Sequence, residues 1–476
     1  MNYNPPSLPR RRFLLTAAAG LLARTPTGWS RNDRPPNLIV FLTDDHRWDA
    51  MGCMNNRIIQ TPNMDRLAAE GVLFRNHFCT TSICMSSRAS IFTGLYTSCH
   101  AINRFDVPLD DALFEQIYPM RLKQAGYRTG FIGKWGLGGD LPKERFDYFT
   151  GFPGQGKYFH EIDGRPVHLS QRVGQQAEEF LNGCTGETPF CLSISFKEPH
   201  VQDEDPRQFL YDPMYESLYR DVTIPVPRTA TEKHFQALPE FLRESEARRR
   251  WEIRFATPEK YQESVKGYYR LITGADRVMG QVMDLLQRKG WQQNTVILFT
   301  SDNGFYLGEF GLAGKWFMHE VSIRTPLIVY DPRLPESRRG TESQEITLNI
   351  DLAPTILELA GLSPLPAIQG RSLVPLVEGK PVPWRNEFFY EHYFEHPGIA
   401  KSEGIRNARW KLVRYIDRDP LVEEVYDLEN DSDEEKNLMA SAPPPAAYEE
   451  LKSRWEKWKS ALADWRLDGP RWQDPV

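Results

Sequence analysis

The stretch Leu38-Ile39-Val40-Phe41-Leu42-Thr43-Asp44-Asp45 is a short, unbroken apolar run that closes on two carboxylates. An unbroken run of this kind, rather than an alternating one, fits a strand buried on both faces of a parallel sheet. Thr295-Val296-Ile297-Leu298-Phe299-Thr300 repeats the design much later and closes on Ser301-Asp302-Asn303-Gly304. Further runs at Thr129 to Ile132, Pro189 to Phe196 and Pro326 to Tyr330 alternate with helical patterns. This alternation predicts an α/β fold, a large mixed but mostly parallel sheet sandwiched by helices. Ligands of such sheets bind beyond the carboxyl ends of the strands, so Asp44, Asp45, Asp302 and Asn303 are expected to converge there. A set of oxygen donors without thiolate or paired imidazole selects a hard cation, calcium or magnesium rather than zinc.

Between the strands, Tyr261, Val265, Tyr268, Ile272, Ala275, Met279, Val282 and Leu286 recur at helical spacing and predict a sheet-covering helix. Asp351 ahead of Leu352-Ala353-Pro354 reads as the N-cap of another helix, stopped by Gly361. Residues 202–260, rich in proline and carrying a charged run at 243–250, read as a surface insertion. After about residue 370 the alternation weakens, and Trp410 to Tyr415 with Val425 to Leu428 predicts a small antiparallel sheet. The expected organisation is therefore an α/β domain at 35–370 and a C-terminal subdomain at 371–476.

At the N-terminus, Arg10-Arg11-Arg12-Phe13-Leu14 precedes a short apolar stretch ending near Ala23 and reads as a twin-arginine export signal within residues 1–34. Export predicts a periplasmic or secreted protein. No apolar run reaches the roughly 20 residues needed to span a bilayer. With 58 Lys+Arg against 64 Asp+Glu, the net charge of −6 argues against non-specific nucleic-acid binding, which needs a basic face. The six cysteines form no C-x-x-C pair and no zinc-ligand spacing, although Cys184 and Cys191 are near enough in sequence to bridge a short loop.

Cys84-Met85-Ser86-Ser87-Arg88-Ala89-Ser90-Ile91-Phe92-Thr93-Gly94 resembles the signature of type I sulfatases, members of the alkaline phosphatase-like superfamily. Thr61-Pro62-Asn63-Met64-Asp65, Ile132-Gly133-Lys134-Trp135, Phe196-Lys197-Glu198-Pro199-His200, Gly314-Lys315-Trp316 and Tyr426-Asp427-Leu428 are similar to the blocks that surround it, in the same order. The resemblance implies hydrolysis of a sulfate monoester carried on a carbohydrate. It implies that a formylglycine-generating enzyme converts Cys84 to formylglycine, the nucleophile. Asp44, Asp45, residue 84, Asp302 and Asn303 would then hold the cation, Arg88 would steady the nucleophile, Lys134 and Lys315 would face the sulfate oxygens, and His200 would serve the leaving group. An ordinary histidine pKa would suit His200 to acid catalysis near neutral pH. His319 is a candidate substrate contact.

The chain departs from the pattern in two places. Many sulfatases have His-Leu-Gly where this chain has Gly136-Leu137-Gly138, so either another group such as His77, His100 or His319 acts as the base or the chain belongs to a branch that manages without it. Ser86 stands where the maturation motif usually has proline or alanine. Two other readings fit the same residues. One is a phosphodiesterase or phosphonate monoester hydrolase of the superfamily, and the other is a non-catalytic binder of sulfated glycans.

Overall fold

The computed structural model describes residues 34–440 and 443–475, so the expected export signal lies outside the described residues except for Arg34. Eight strands form the principal sheet: β1 (Asn37–Thr43), β2 (Val72–Phe78), β3 (Arg128–Lys134), β4 (Tyr148–Phe152), β5 (Phe190–Ser195), β6 (Thr295–Ser301), β7 (Leu327–Tyr330) and β8 (Thr341–Leu348). Their order is β8-β2-β7-β6-β1-β5-β3-β4, and only β7 runs antiparallel to its neighbours.

The unbroken apolar runs have the predicted cause. Leu38, Val40 and Leu42 of β1 face one core, Ile39 and Phe41 the other, and β6 divides Val296 and Leu298 from Ile297 and Phe299 in the same way. Strands β2, β4 and β8 escape that test because polar residues interrupt them. In β8, Thr341-Glu342-Ser343-Gln344-Glu345 is largely exposed at the sheet edge.

One face is covered by α1 (Pro62–Glu70), α3 (Leu169–Asn182) and α4 (Pro258–Arg288), and the other by α2 (Cys84–Thr93) and α5 (Leu352–Leu359). All eight positions of the predicted stripe on α4 are buried. Leu271, Val278 and Leu285 on its other sides are buried too, because α4 is covered more widely than a surface helix. Asp351 does not cap α5 with its side chain. Its carboxylate accepts from the backbone N–H groups of Leu348 (2.8 Å) and Arg371 (2.7 Å) and from the Arg385 guanidinium, tying three segments together.

Strands β9 (Glu387–His392), β10 (Ser402–Asn407), β11 (Trp410–Tyr415) and β12 (Val422–Asp427) form the small antiparallel sheet in simple sequential order. It shares the α2-side core of the principal sheet, with the Phe78 and Phe388 rings stacked at 5.1 Å. Residues 202–260, expected as a surface insertion, carry short helices that bury Phe209, Leu210, Leu242, Ala247 and Arg254 while many of their other residues are exposed. The charged run is tied down within the segment: Arg249 and Arg250 both bond Glu246, and Arg250 and Arg254 share Asp203. All six cysteines are free, so Cys184 and Cys191 form no bridge; Cys191 is enclosed within β5. Among the described residues no helix is long and apolar enough to cross a membrane.

Candidate active site

Four neighbouring parallel strands end together. Thr43 of β1 is in register with Ser301 of β6, Leu42 with Ser195 of β5, and Ser195 with Gly133 of β3. The residues that follow each strand end therefore share one crevice: Asp44 and Asp45, Asp302 and Asn303, Lys134, and the segment from Phe196 to His200. Helix α2 enters the same space with Cys84 as its first residue and no side-chain cap. Its opening N–H groups and the positive end of its dipole suit an anion at that point. Cys84, Arg88, Asp44, Asp45, Asp302, Asn303 and Lys134 are all at most 1% exposed, Lys315 and His200 only slightly more.

Arg88 is the hub of this crevice. Its Nε donates to Asp302 Oδ2 (2.8 Å), its Nη1 to the Lys134 carbonyl (3.0 Å) and to Ser195 Oγ, and its Nη2 lies 3.5 Å from Asp44 Oδ2. Lys134 donates to Asp44 and to Gln155 Oε1 (2.6 Å). Lys315 donates to Asp45, and the Asn303 amide donates to the same Asp45 oxygen (2.6 Å).

Three carboxylates in one dry space affect each other. Burial alone would raise the Asp44 carboxyl, but Lys134, His200, Lys315 and Arg88 outweigh it and hold Asp44 well below the usual range. Burial pushes Asp302 up to about 6, with the Asp44 charge adding to it against Arg88 and the lysines. Burial likewise raises Asp45 despite Lys315.

The donor set fits a divalent cation. Asp44 Oδ1 and Asn303 Oδ1 are buried and have no hydrogen-bond partner among the described residues. Asp44, Asp45 and His200 also offer ligand atoms within 4.8 Å of one another. Buried oxygens without partners are costly unless something positive satisfies them. Two carboxylates with raised pKa values beside them are what a cation would relieve.

His200 departs from the ordinary basicity assumed for it. Burial, reinforced by Lys315, Lys134 and Lys197, pushes its pKa well below 6.5 despite Asp44. Its Nδ1 lies 2.7 Å from the Val201 carbonyl, an acceptor only, so the neutral ring carries its proton there. Nε2 then presents a lone pair to the crevice, 3.6 Å from Asp45 Oδ2.

The three histidines considered as the missing base sit with other partners. His77 bonds Thr347 Oγ1 (3.1 Å), His100 bonds Ser90 Oγ (3.1 Å), and His319 bonds the Tyr306 hydroxyl (2.5 Å) with its ring between Phe310 and Tyr426. None of these partners belongs to the crevice, and among the described residues the Nε2 atoms of His77 and His319 are buried without a hydrogen-bond partner. Gly136 itself is locked. Its φ is +77°, and a Cβ there would stand 2.4 Å from Arg88 Cδ. Gly136→His is therefore expected to displace Arg88, with loss of activity and a destabilisation of about 1–3 kcal/mol, read by sulfate release and chemical denaturation.

Three residues of the crevice have no role in the sequence reading. Gln155 donates from Nε2 toward Cys84 Sγ (3.9 Å), Ser195 holds the Arg88 fork, and Lys197, buried under the Tyr158 ring, has its pKa lowered to about 8 by burial and Lys134. Ser195 closes an apolar strand and Gln155 sits in a glycine turn, so neither has a sequence spacing that points to Cys84. Nearby aromatics pack on their own partners: Tyr158 stacks on His168 at 5.2 Å with Phe159 edge-on to that histidine, and Arg324 covers Trp48.

Comparison with known proteins agrees with this arrangement. Residues 36–362 match the family model of sulfatases, and residues 308–461 match that of the N-sulphoglucosamine sulphohydrolase C-terminal region. The chain is 29% identical to an N-acetylglucosamine-6-O-sulfatase of Bacteroides thetaiotaomicron, over 98% of this chain and 92% of that protein. It is 32% identical to the human N-acetylgalactosamine-6-sulfatase, over 74% and 68%. Among solved structures, BT4656 in complex with its substrate D-glucosamine-2-N,6-O-disulfate superimposes with a TM-score of 0.77 at 27% identity, covering 91% of this chain and 99% of that one. A phosphonate monoester hydrolase from Silicibacter pomeroyi shares the fold, with a TM-score of 0.76 at 23% identity over 93% and 100%. Matched across its principal domain and its C-terminal region, with a cysteine at the head of a buried helix among carboxylates and lysines, the chain belongs to the type I sulfatases of the alkaline phosphatase-like superfamily and is a sulfuric ester hydrolase.

Proposed function

We propose that this protein removes a 6-O-sulfate from a hexosamine, using formylglycine made from Cys84 and a bound calcium ion. The observation that carries the reading is the position of Cys84, at the positive end of α2 and within the electrostatic reach of Arg88 and Lys315. The sugar is inferred from two relatives whose names give 6-O-sulfated glucosamines as what they act on. Formylglycine supplies a hydrated aldehyde oxygen as nucleophile, and the cation supplies the charge that holds and acidifies it.

The chain's own residues supply the rest of the mechanism. Asp44, Asp45, Asp302 and Asn303 hold the cation, with Asp44 Oδ1 and Asn303 Oδ1 as its free donors. Arg88 fixes two of these carboxylates and the backbone of Lys134. Lys134 and Lys315 face the sulfate oxygens, where fixed positive charge in a water-poor crevice stabilises the transition state more than the substrate. His200 takes the leaving-group position, and the negative charge of the bound ester favours its protonation against the surrounding lysines.

The twin-arginine motif supports export of the folded enzyme from the cytoplasm to the periplasm or beyond, after maturation of Cys84 by a formylglycine-generating enzyme. In the proposed organisation residues 1–34 are the export segment, 35–370 the catalytic domain and 371–476 the C-terminal subdomain.

The test is ion chromatography of free sulfate from N-acetylglucosamine 6-sulfate, D-glucosamine-2-N,6-O-disulfate and N-acetylgalactosamine 6-sulfate, with an aryl phosphonate monoester in parallel. Peptide mass at residue 84 accompanies each preparation. Release from the glucosamine sulfates with calcium, and its loss on chelation, is the expected result. Faster turnover of the phosphonate would replace this reading with the phosphonate hydrolase one. Binding without release by fully matured protein would make it a glycan binder.

A further inference from the structure

Strand β4 ends in the turn Pro153-Gly154-Gln155-Gly156, whose two glycines are left-handed, with φ of 60° and 63°. The turn carries the Gln155 side chain, half-buried, over the nucleophile. The carboxamide has one acceptor and one donor end, and its orientation follows from its neighbours. The Lys134 ammonium can only donate, so the oxygen faces it at 2.6 Å. The NH2 group is left facing residue 84, with Nε2 3.9 Å from Cys84 Sγ.

We propose that Gln155 is a catalytic-site residue of this sulfatase, touching the nucleophile through its NH2 group and positioning Lys134 through its oxygen. The inference rests on the sulfatase reading above. With position 136 closed by Arg88, no histidine can reach the nucleophile from that side, and the polar group that does reach it is a neutral amide. Among the described residues the Lys134 ammonium is otherwise bonded only to Asp44, so Gln155 fixes which way its remaining proton points. An amide does not titrate. It donates to an oxygen on residue 84 or on the sulfate at any working pH and adds no negative charge that would repel a sulfate monoester.

The experiment compares wild type, Gln155→Ala and Gln155→Glu. Gln155→Ala is expected to lower kcat/KM by about 10²-fold, mainly through kcat, with an unchanged melting temperature. Gln155→Glu is expected to lose at least as much at neutral pH and to recover part of it as pH falls and the new carboxyl protonates, a pH limb that wild type lacks. A second readout needs no turnover. In protein made without the maturing enzyme, iodoacetamide is expected to alkylate Cys84 roughly tenfold faster in Gln155→Ala than in wild type, because the amide no longer covers the thiol.

A kcat/KM within about threefold of wild type in both variants overturns the proposal. So does a loss in Gln155→Ala matched by a fallen melting temperature and no new pH limb in Gln155→Glu, which would make the role structural. If wild type releases no sulfate at all, the sulfatase reading fails instead. The alkylation rates then decide the placement, and equal rates overturn it.

Discussion

Cys84→Ala abolishes sulfate release while leaving the protein folded. The thiol is buried at the first turn of α2, and Gln155 makes only a weak polar contact with it. Removing one sulfur there is expected to cost less than about 1.5 kcal/mol of stability, whereas removing the nucleophile is expected to cost on the order of 10⁴–10⁶ in kcat. The two numbers separate chemistry from folding, so sulfate release and the denaturation midpoint are measured on the same preparation. Residual turnover within tenfold of wild type would remove residue 84 from the mechanism and favour direct attack by another group.

Arg88→Met has the largest combined effect on stability and activity. The guanidinium has no exposed surface and compensates Asp302 and Asp44, which are equally enclosed. Removing one partner of a buried ionic set leaves the other charged and dry, so a destabilisation of about 3–5 kcal/mol is expected in urea unfolding. Turnover is expected to fall by about 10³-fold or more, since Lys134 loses the anchor on its carbonyl together with one of the cation-holding carboxylates. Arg88→Lys restores the charge but not the fork that reaches Asp302, Ser195 and the Lys134 carbonyl at once, so it should regain part of the stability and little of the activity. Full activity in Arg88→Lys would show that charge alone matters at this position.

The legible part of this protein is uneven for physical reasons. Strands β1, β5, β6 and β7 could be read because each is buried on both faces, which forces a continuous apolar run whatever surrounds it. Strand β8 could not, since its first half lies at the edge where polar residues are no burden. The 243–250 run read as solvated because charge in sequence does not reveal its partner. In the fold Glu246 takes both Arg249 and Arg250, and Asp203 takes Arg250 and Arg254, so the charges are paired with one another within the segment. His200 is the sharpest case at the site. Its identity was readable, but its neutrality depends on burial and on three lysines drawn from different strand ends.

By itself the sequence determined that an α/β sheet would bring Asp44, Asp45, Asp302 and Asn303 to one edge, because strand burial and strand direction follow from local composition and from the ordering of elements along the chain. It also carried the cysteine signature and the blocks around it. Only the tertiary structure decided which way the charges point: that Arg88 closes position 136, that His319 belongs to an aromatic packing, and that Gln155 reaches residue 84 from a turn far away in sequence. Those are contacts between side chains from separate elements. Distance, tautomer and protonation at such contacts depend on packing and dielectric, which no spacing along a single chain encodes.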